Sequence, residues 1–260
     1  GLGVGNNVFR WTVQNGPCVL AQPSDDVVLR VFDALVGIAD AGADIAVCTP
    51  ITSATLAGSA APAPAAGQWT VIGGSGTFAN ANAPNTTVSG LSPGVNTFRW
   101  TVNNGACSGS TFDDVDVQLF DGDAQQADAG DDQALCSTTT TTTLAANAPT
   151  GLATAQWSVI SGSAQITDAS DPNTTITGLA TGVTVLAWTI DNGACGNSVD
   201  QVVIRVFDAN LAAPTAGADQ HLCTPTTSAT LNGSAVPAPT TGTWTLISGS
   251  GVLADPTAPN

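Results

Sequence analysis

Short runs of β-forming residues alternate with glycine, proline and asparagine along the whole chain. In the central part these runs predict strands at the spacing that is typical of a β-sandwich. The predicted strands cover residues 53–56, 68–72, 86–88, 97–102 and 115–120. An Asn-Gly pair follows the fourth run, and because this pair favours tight turns, we expect it to join the last two strands.

The last of these runs alternates between apolar and polar residues. Val115, Val117 and Leu119 fall on one face, while Asp116 and Gln118 fall on the other. Successive side chains of a strand point to opposite faces of its sheet. The run therefore predicts a strand with one buried face and one solvated face.

The whole pattern recurs with a period of about 88 residues. Each repeat opens with A-G-A-D or A-G-D-D before a cysteine and continues through [GA]-x-W-[TS] and P-N-T-T-[VI]. Each closes with W-T-[VI]-x-N-G-x-C and then V-F-D or L-F-D. Self-similarity at a fixed period indicates tandem modules rather than one large domain.

In this register the chain holds two whole repeats, 34–121 and 122–208. They are flanked by the C-terminal half of a repeat, 1–33, and the N-terminal half of another, 209–260. We interpret the chain as a window on a longer array of the same module. The alternative is a protomer whose two half repeats are completed by the half repeats of neighbouring chains. The two halves together, however, lack a counterpart of residues 86–89. A protomer that forms whole repeats with its neighbours should not lack a strand.

The two whole repeats each contain one pair of cysteines. Cys48 and Cys107 are 59 residues apart, and so are Cys136 and Cys195. Equal spacing predicts one disulfide within each repeat, which contributes about 4 kcal/mol in the chain-entropy model and implies an oxidising compartment. A zinc site would need three or four ligands, whereas each repeat offers two cysteines.

The remaining two cysteines lie in the half repeats. Cys18 and Cys223 are expected to pair with the missing halves or between neighbouring chains.

Each repeat also carries two tryptophans. They could form a carbohydrate-stacking platform, but each lies in an alternating β-run whose inward residues form the core of a small module. We therefore predict core positions for Trp11, Trp69, Trp100, Trp157, Trp188 and Trp244.

Composition narrows the class of protein. The formal net charge is -16, all 20 acidic residues are Asp, and four Arg are the only Lys or Arg residues. So acidic a surface repels phosphates, which excludes nucleic acid as a partner. The absence of Glu, Lys and Met removes strong helix formers and favours an all-β fold. No apolar run is long enough to cross a bilayer, so we expect no membrane insertion in this segment.

The motifs A-G-A-D-x-x-x-C, G-x-W-T-V-I-x-G-S-G, A-P-N-T-T-V-S-G-L and F-R-W-T-V-N-N-G-A-C together resemble repeats of giant Bacteroidota cell-surface proteins. These include gliding-motility adhesins and related proteins exported by the type IX system. The resemblance implies immunoglobulin-like or PKD-like folds, an extracellular location and a role as stalk, filament or adhesive surface. It implies no catalytic residues.

These observations predict an all-β chain of tandem immunoglobulin-like β-sandwich repeats, one disulfide each, arranged as an extended array. Its expected partners are further copies of the repeat, in the same chain or in neighbouring chains of a filament. Two alternatives are that exposed loops around residues 73–77 bind a glycan or protein ligand, and that the chain is an accessory stalk of a secreted enzyme. The chain itself is not expected to be an enzyme, because its one histidine, His221, has no counterpart in the other repeats.

Aspartates cluster where one repeat follows another, and carboxylate oxygens suit Ca²⁺. None of these aspartate clusters contains the D-x-D-x-D-G motif of a calcium loop. The alternative role of the aspartates is to keep exposed strand edges solvated and to protect them by charge. Calcium is the one cofactor that we predict as a candidate, at Asp33, Asp40, Asp44, Asp121, Asp123, Asp128, Asp131 and Asp132.

Overall fold

A computed structural model describes residues 1–18, 22–123 and 126–259, and the fold is all-β. Contacts divide the chain into two compact units. The first comprises Gly1–Ala124 together with Asn192–Gly196, and the second comprises Gln125–Asp191 together with Asn197–Asn260. In the part of the chain that is described, no helix is long and apolar enough to span a membrane.

The first unit begins with a two-stranded antiparallel hairpin, β1 (Gly5–Thr12) and β2 (Ser24–Val31). Seven further strands follow. They are β3 (Ile45–Cys48), β4 (Ser53–Ala57), β5 (Ala66–Gly73), β6 (Thr77–Phe78), β7 (Asn85–Ser89), β8 (Gly94–Asn103) and β9 (Ser110–Phe120).

These seven strands form two sheets, ordered β3-β9-β8-β5 and β4-β7-β6. β3 runs parallel to β9, and all other pairs are antiparallel. Apolar residues of both sheets share one core cluster, which includes Leu56 of β4, Val88 of β7 and Trp100 of β8. These seven strands therefore form a two-sheet sandwich, which confirms the β-sandwich that the sequence predicts.

Burial of large side chains explains why the strands pack in this way. Trp69 and Trp100 are opposite each other on β5 and β8, with ring centroids 5.0 Å apart, and both are fully buried. On β9 the predicted alternation is confirmed, since Val115, Val117 and Leu119 are buried. Each such apolar side chain contributes roughly 1.5–3 kcal/mol relative to an exposed one.

The second unit repeats this architecture. Its strands are β10 (Gln133–Cys136), β11 (Thr142–Thr143), β12 (Thr154–Ser161), β13 (Gln165–Ile166), β14 (Thr175–Thr177), β15 (Gly182–Asp191) and β16 (Asn197–Phe207). The sheets are β10-β16-β15-β12 and β11-β14-β13, and the centroids of Trp157 and Trp188 are again 5.0 Å apart. Residues 209–259 form no strand.

The five strands predicted in the central repeat are confirmed, each with wider bounds. β3 and the two-residue β6 were not predicted. The Asn-Gly pairs do lie between the last two strands, but the turns are longer than a two-residue hairpin. Residues 104–109 and 192–196 connect the strands and contain the short helical turns Gly105–Ser108 and Gly193–Cys195.

Candidate functional site

The structure contains one disulfide, between Cys48 and Cys195, with Cα atoms 5.1 Å apart. Cys48 is the last residue of β3 and is paired in register with Phe120, the last residue of β9. Cys195 lies in the β15–β16 turn, whose residues Asn192–Gly196 belong to the first unit. Cys48 therefore bonds a cysteine of the following sequence repeat rather than of its own.

The residues around this bond explain two of the recurring motifs. The Phe of V/L-F-D packs against the Gly of N-G-x-C, since a Cβ on Gly193 would lie 2.3 Å from the Phe120 ring. The Asn192 side-chain amide donates a hydrogen bond of 2.7 Å to the carbonyl oxygen of Asp121. With φ of +51°, Gly193 adopts a backbone conformation that favours glycine.

The preceding turn has the same arrangement. A Cβ on Gly105 would lie 2.3 Å from the Phe32 ring, and the Asn104 side-chain amide donates 2.9 Å to the Asp33 carbonyl oxygen. Cys107 corresponds to Cys195 but forms no disulfide, and its thiol lies 3.5 Å from the carbonyl oxygen of Phe32. The turn thus docks in the same way with and without the covalent bond.

The predicted pairing of Cys48 with Cys107 is wrong, and strand geometry shows why. Cys48 lies beside the last residue of β9, while Cys107 precedes its first residue. Eleven extended residues at roughly 3.3 Å each place the two cysteines at opposite ends of the strand, roughly 30 Å apart. A disulfide requires Cα atoms within about 7 Å.

The predicted pairing of Cys136 with Cys195 is wrong for the same reason. Cys136 is paired in register with the last residue of β16, Phe207, and Cys195 precedes the start of that strand. Four exposed cysteines remain without a disulfide, namely Cys18, Cys107, Cys136 and Cys223.

The prediction for the tryptophans is confirmed for Trp69, Trp100, Trp157 and Trp188, which are at most 1% exposed. It is wrong for Trp11, which is 75% exposed, since among the described residues β1 and β2 form a two-stranded sheet of their own. Trp244 is only partly buried.

Several of the candidate calcium ligands accept hydrogen bonds from backbone amides. Asp44 accepts from the amide of Asp116, and Asp40 and Asp128 accept from the amides two residues further on. Within residues 1–18, 22–123 and 126–259, no three acidic, histidine or cysteine side chains come together in a group suited to a metal. Calcium binding by this set stays a prediction.

Three of the four arginines form ion pairs. Arg10 with Asp26 and Arg99 with Asp114 occupy matching positions, and their closest N–O distances are 2.7 Å. The hydrogen bond from the Arg99 guanidinium holds the pKa of Asp114 below its ordinary value. Arg205 pairs with Asp132 at 2.9 Å.

The second unit also has an open polar groove of about 620 Å³. Its lining includes Gln156, Asp168, Thr189 and Asn197. The hydrogen bond from the Ser170 hydroxyl holds the pKa of Asp168 below its ordinary value, so this carboxyl is charged at neutral pH. His221 is exposed.

Comparison with known proteins identifies a PKD-like domain in the chain. The family model described as K319L-like, PKD domain matches residues 41–118, which span β3 to most of β9. A comparison with curated proteins finds no match.

Among solved structures, the PKD domain from KIAA 1837 protein is 27% identical and aligns over 35% of this chain and 93% of its own, with a TM-score of 0.30. The PKD domain of human KIAA0319 is 20% identical over 35% of this chain and 88% of its own, also with a TM-score of 0.30. An endo-fucoidan hydrolase from glycoside hydrolase family 107 is 12% identical over 80% of this chain and 34% of its own, with a TM-score of 0.25. TM-scores this low do not support a conclusion about function.

Proposed function

We propose that this chain is a structural repeat segment of an extracellular filament or adhesin stalk. The observation that supports the proposal is the Cys48–Cys195 disulfide, which joins a strand of one sequence repeat to the turn of the next. Under tension such a bond keeps the residues between Cys48 and Cys195 from extending, even if the sheets around them open, and these residues belong to both whole repeats. A bond within one repeat would restrain that repeat alone.

Two observations support the proposed extracellular location, namely the Cys48–Cys195 disulfide and the match of residues 41–118 to a PKD domain. Disulfides persist in oxidising compartments, which include the cell surface and the extracellular space. A strong negative charge further favours solubility at high local concentration, because like-charged surfaces repel.

Electron microscopy of the purified protein and of cells labelled with an antibody against it tests this function. We expect the antibody to label thin surface projections, and the purified protein to show end-to-end order. The proposed function would be contradicted by labelling that is confined to the cell interior, or by purified particles that show no end-to-end order at any concentration.

A second candidate function is glycan binding by the groove of the second unit. Carboxylate, amide and hydroxyl side chains line it together, and these groups hydrogen-bond to sugar hydroxyls. A glycan array probed with the wild-type chain and with Gln156→Ala tests this candidate. Glycan binding that Gln156→Ala abolishes would support an adhesive role. An array without hits would contradict glycan binding and leave only the structural role.

A further inference from the structure

Each docked turn begins with an Asn-Gly pair, Asn104-Gly105 in the first turn and Asn192-Gly193 in the second. In such a pair the glycine nitrogen can attack the side-chain amide carbon of the asparagine, because glycine has no side chain to obstruct the approach. The asparagine then loses ammonia and is converted to an acid. The two turns differ in one respect, since only Asn192 is followed by a cysteine that forms a disulfide, Cys195.

The docked backbone keeps the reacting atoms apart in both turns. Closure of the five-membered imide requires the asparagine Cβ and the glycine nitrogen to lie on the same side of the asparagine Cα–C bond. Asn104 has ψ of 28° and Asn192 has ψ of 34°, and in an L residue these angles place the two atoms on nearly opposite sides. The Gly105 amide also donates a hydrogen bond of 2.9 Å to the Asn103 side-chain oxygen. Each turn must therefore open before its asparagine can react.

The disulfide is an additional restraint on opening of the second turn. The Asn192 side-chain amide donates a hydrogen bond of 2.7 Å to the Asp121 carbonyl oxygen, and Cys195 in the same turn is bonded to Cys48. The first turn has the corresponding hydrogen bond, but Cys107 forms no disulfide. A reaction that requires local opening proceeds in proportion to the population of the open state. Reduction should therefore expose Asn192 and leave the asparagine of the first turn as protected as before.

The product of this reaction does not fit the docked turn. The docked asparagine donates to a carbonyl oxygen, whereas an ionised aspartate has no donor. Asn104 is 1% exposed, and its side-chain oxygen has no hydrogen-bond partner among the described residues. A carboxylate there would direct one oxygen at the Asp33 carbonyl oxygen and leave the other without a donor, and burial of an unpaired charge is strongly unfavourable. At Asn192 a carboxylate would meet the Asp121 carbonyl oxygen in the same way.

We propose that Asn192 is a deamidation site that stays closed while the Cys48–Cys195 disulfide is intact and opens when the disulfide is reduced. Deamidation then prevents the turn from docking, so the two thiols no longer come together and reduction becomes irreversible. This modification requires only the turn and its disulfide. It therefore goes beyond the proposed structural role and does not depend on it.

Deamidation itself needs water as its only co-reactant. The Gly193 nitrogen gives up its proton and bonds to Cγ of Asn192. The Cγ–Nδ2 bond breaks, and the leaving nitrogen takes up the proton and departs as ammonia. One water molecule then opens the imide, which leaves aspartate or isoaspartate in place of Asn192. The preceding reduction of the disulfide takes two electrons and two protons from thiols, which themselves become a disulfide.

Peptide mapping by mass spectrometry during incubation of the full chain at neutral pH measures deamidation at each asparagine separately. In the oxidised wild type we expect Asn104 and Asn192 to react far more slowly than Asn192 does in a free peptide of residues 188–196. Cys48→Ser, or dithiothreitol added to the wild type, should raise the rate at Asn192 at least about tenfold, because the disulfide no longer holds the turn closed. The rate at Asn104 should stay unchanged, which verifies that the first unit is folded.

Matched substitutions test whether the product docks. Asn192→Asp reproduces the aspartate product, and Ala194→Asp adds the same charge at an exposed position of the same turn. After reduction and removal of the reductant, we expect Asn192→Asp to re-form the Cys48–Cys195 disulfide at least about tenfold more slowly than the wild type, because the docked turn is depleted. Ala194→Asp should re-form it at close to the wild-type rate. Timed alkylation of the free thiols, followed by mass spectrometry, measures both variants.

Deamidation of Asn192 in the oxidised wild type at the rate of the free peptide would show that the turn does not protect it. Equal rates at Asn192 with and without the disulfide would show that the bond does not control the reaction. A faster reaction at Asn104 as well would show that loss of the bond unfolds the unit rather than one turn. Disulfide formation in Asn192→Asp as fast as in Ala194→Asp would show that the product still docks. Each of these results would overturn the proposed modification, whatever micrographs show about the filament.

Discussion

At the scale of single residues, the two units bury equivalent tryptophans that differ in hydrogen bonding. The Trp69 indole donates to the Ala83 carbonyl oxygen at 3.1 Å, whereas the buried Trp157 indole finds no acceptor among the described residues. A buried donor without a partner costs about 1–3 kcal/mol, while a satisfied one stabilises by about 1 kcal/mol. The two sites should therefore respond differently to removal of the N–H group.

Replacement by phenylalanine isolates this difference. Trp69→Phe and Trp157→Phe remove similar volume, so their cavity costs are similar. We expect Trp69→Phe to destabilise its unit by about 1–3 kcal/mol more than Trp157→Phe does. Hydrogen exchange followed by mass spectrometry on β8 and β15 measures each unit separately, and equal losses would contradict the assignment.

The ion pair of Arg99 with Asp114 makes the first unit sensitive to acid. Because the pKa of Asp114 is lowered in the folded state, the pair stabilises the unit above the ordinary Asp pKa of about 3.9. That contribution is lost as the pH falls through the folded-state pKa. The side chains are 31% and 37% exposed, so solvent screening keeps the effect small.

A double-mutant cycle of Arg99→Ala and Asp114→Asn measures this coupling by denaturant unfolding at several pH values. We expect a favourable coupling at pH 6 that vanishes near pH 2. A coupling that persists unchanged at pH 2 would contradict an ionic origin, since the contact of the Arg99 guanidinium carbon with the Phe112 ring, 3.8 Å away, is lost in both Arg99 variants and cancels in the cycle.

At the scale of elements, the turn that carries Cys195 is positioned by Gly193 rather than by the disulfide alone. A side chain at Gly193 meets Phe120, whereas Gly196 also has positive φ, of +89°, but nothing lies within 4 Å of a Cβ there. With φ of +89° and ψ of -175°, Gly196 lies in a backbone region that is essentially restricted to glycine, so Gly196→Ala strains the backbone at least as much as Gly193→Ala does. Only the first obstructs docking.

We therefore expect Gly193→Ala to slow formation of the Cys48–Cys195 disulfide at least about tenfold during oxidative refolding, since a clash of a few kcal/mol depletes the docked turn. Gly196→Ala should slow it much less. Thiol titration at timed intervals follows the reaction. Equal rates for the two variants would show that the Phe120 contact does not guide the turn.

The sandwich elements could be predicted from sequence because burial imposes a period of two on each long strand. β9 shows this most clearly, with its buried valines and leucine alternating with polar residues. β3 has four residues and β6 two, too few to show a period. Both are defined by pairing with distant strands rather than by their own composition.

The disulfide partner could not be predicted from spacing. Cys107 and Cys195 are related by the repeat period, so either choice of partner for Cys48 produces the same regular pattern in every repeat. Only the parallel pairing of β3 with β9 distinguishes the two choices, because it fixes which end of β9 lies beside Cys48. The exposure of Trp11 likewise could not be predicted, because its local sequence matches that of the buried Trp100.

At the scale of the whole molecule, the disulfide encloses a loop with a sequence separation of 147 residues. In the chain-entropy model, closure of a loop of this length contributes roughly 5 kcal/mol. When the chain is pulled from its two ends, residues between Cys48 and Cys195 cannot extend until the bond is reduced. Most strands of both sandwiches lie inside this protected segment.

Single-molecule force spectroscopy should therefore show a large increase in contour length on reduction. At roughly 3.5 Å per residue, release of 147 residues adds about 500 Å. Cys48→Ser should show the full length without reductant, and Cys107→Ser should behave as the wild type. Two bonds of 59 residues each would instead release about 410 Å. That smaller value, or a Cys107→Ser chain that extends further than the wild type under oxidising conditions, would mean that the disulfides lie within repeats and do not join them.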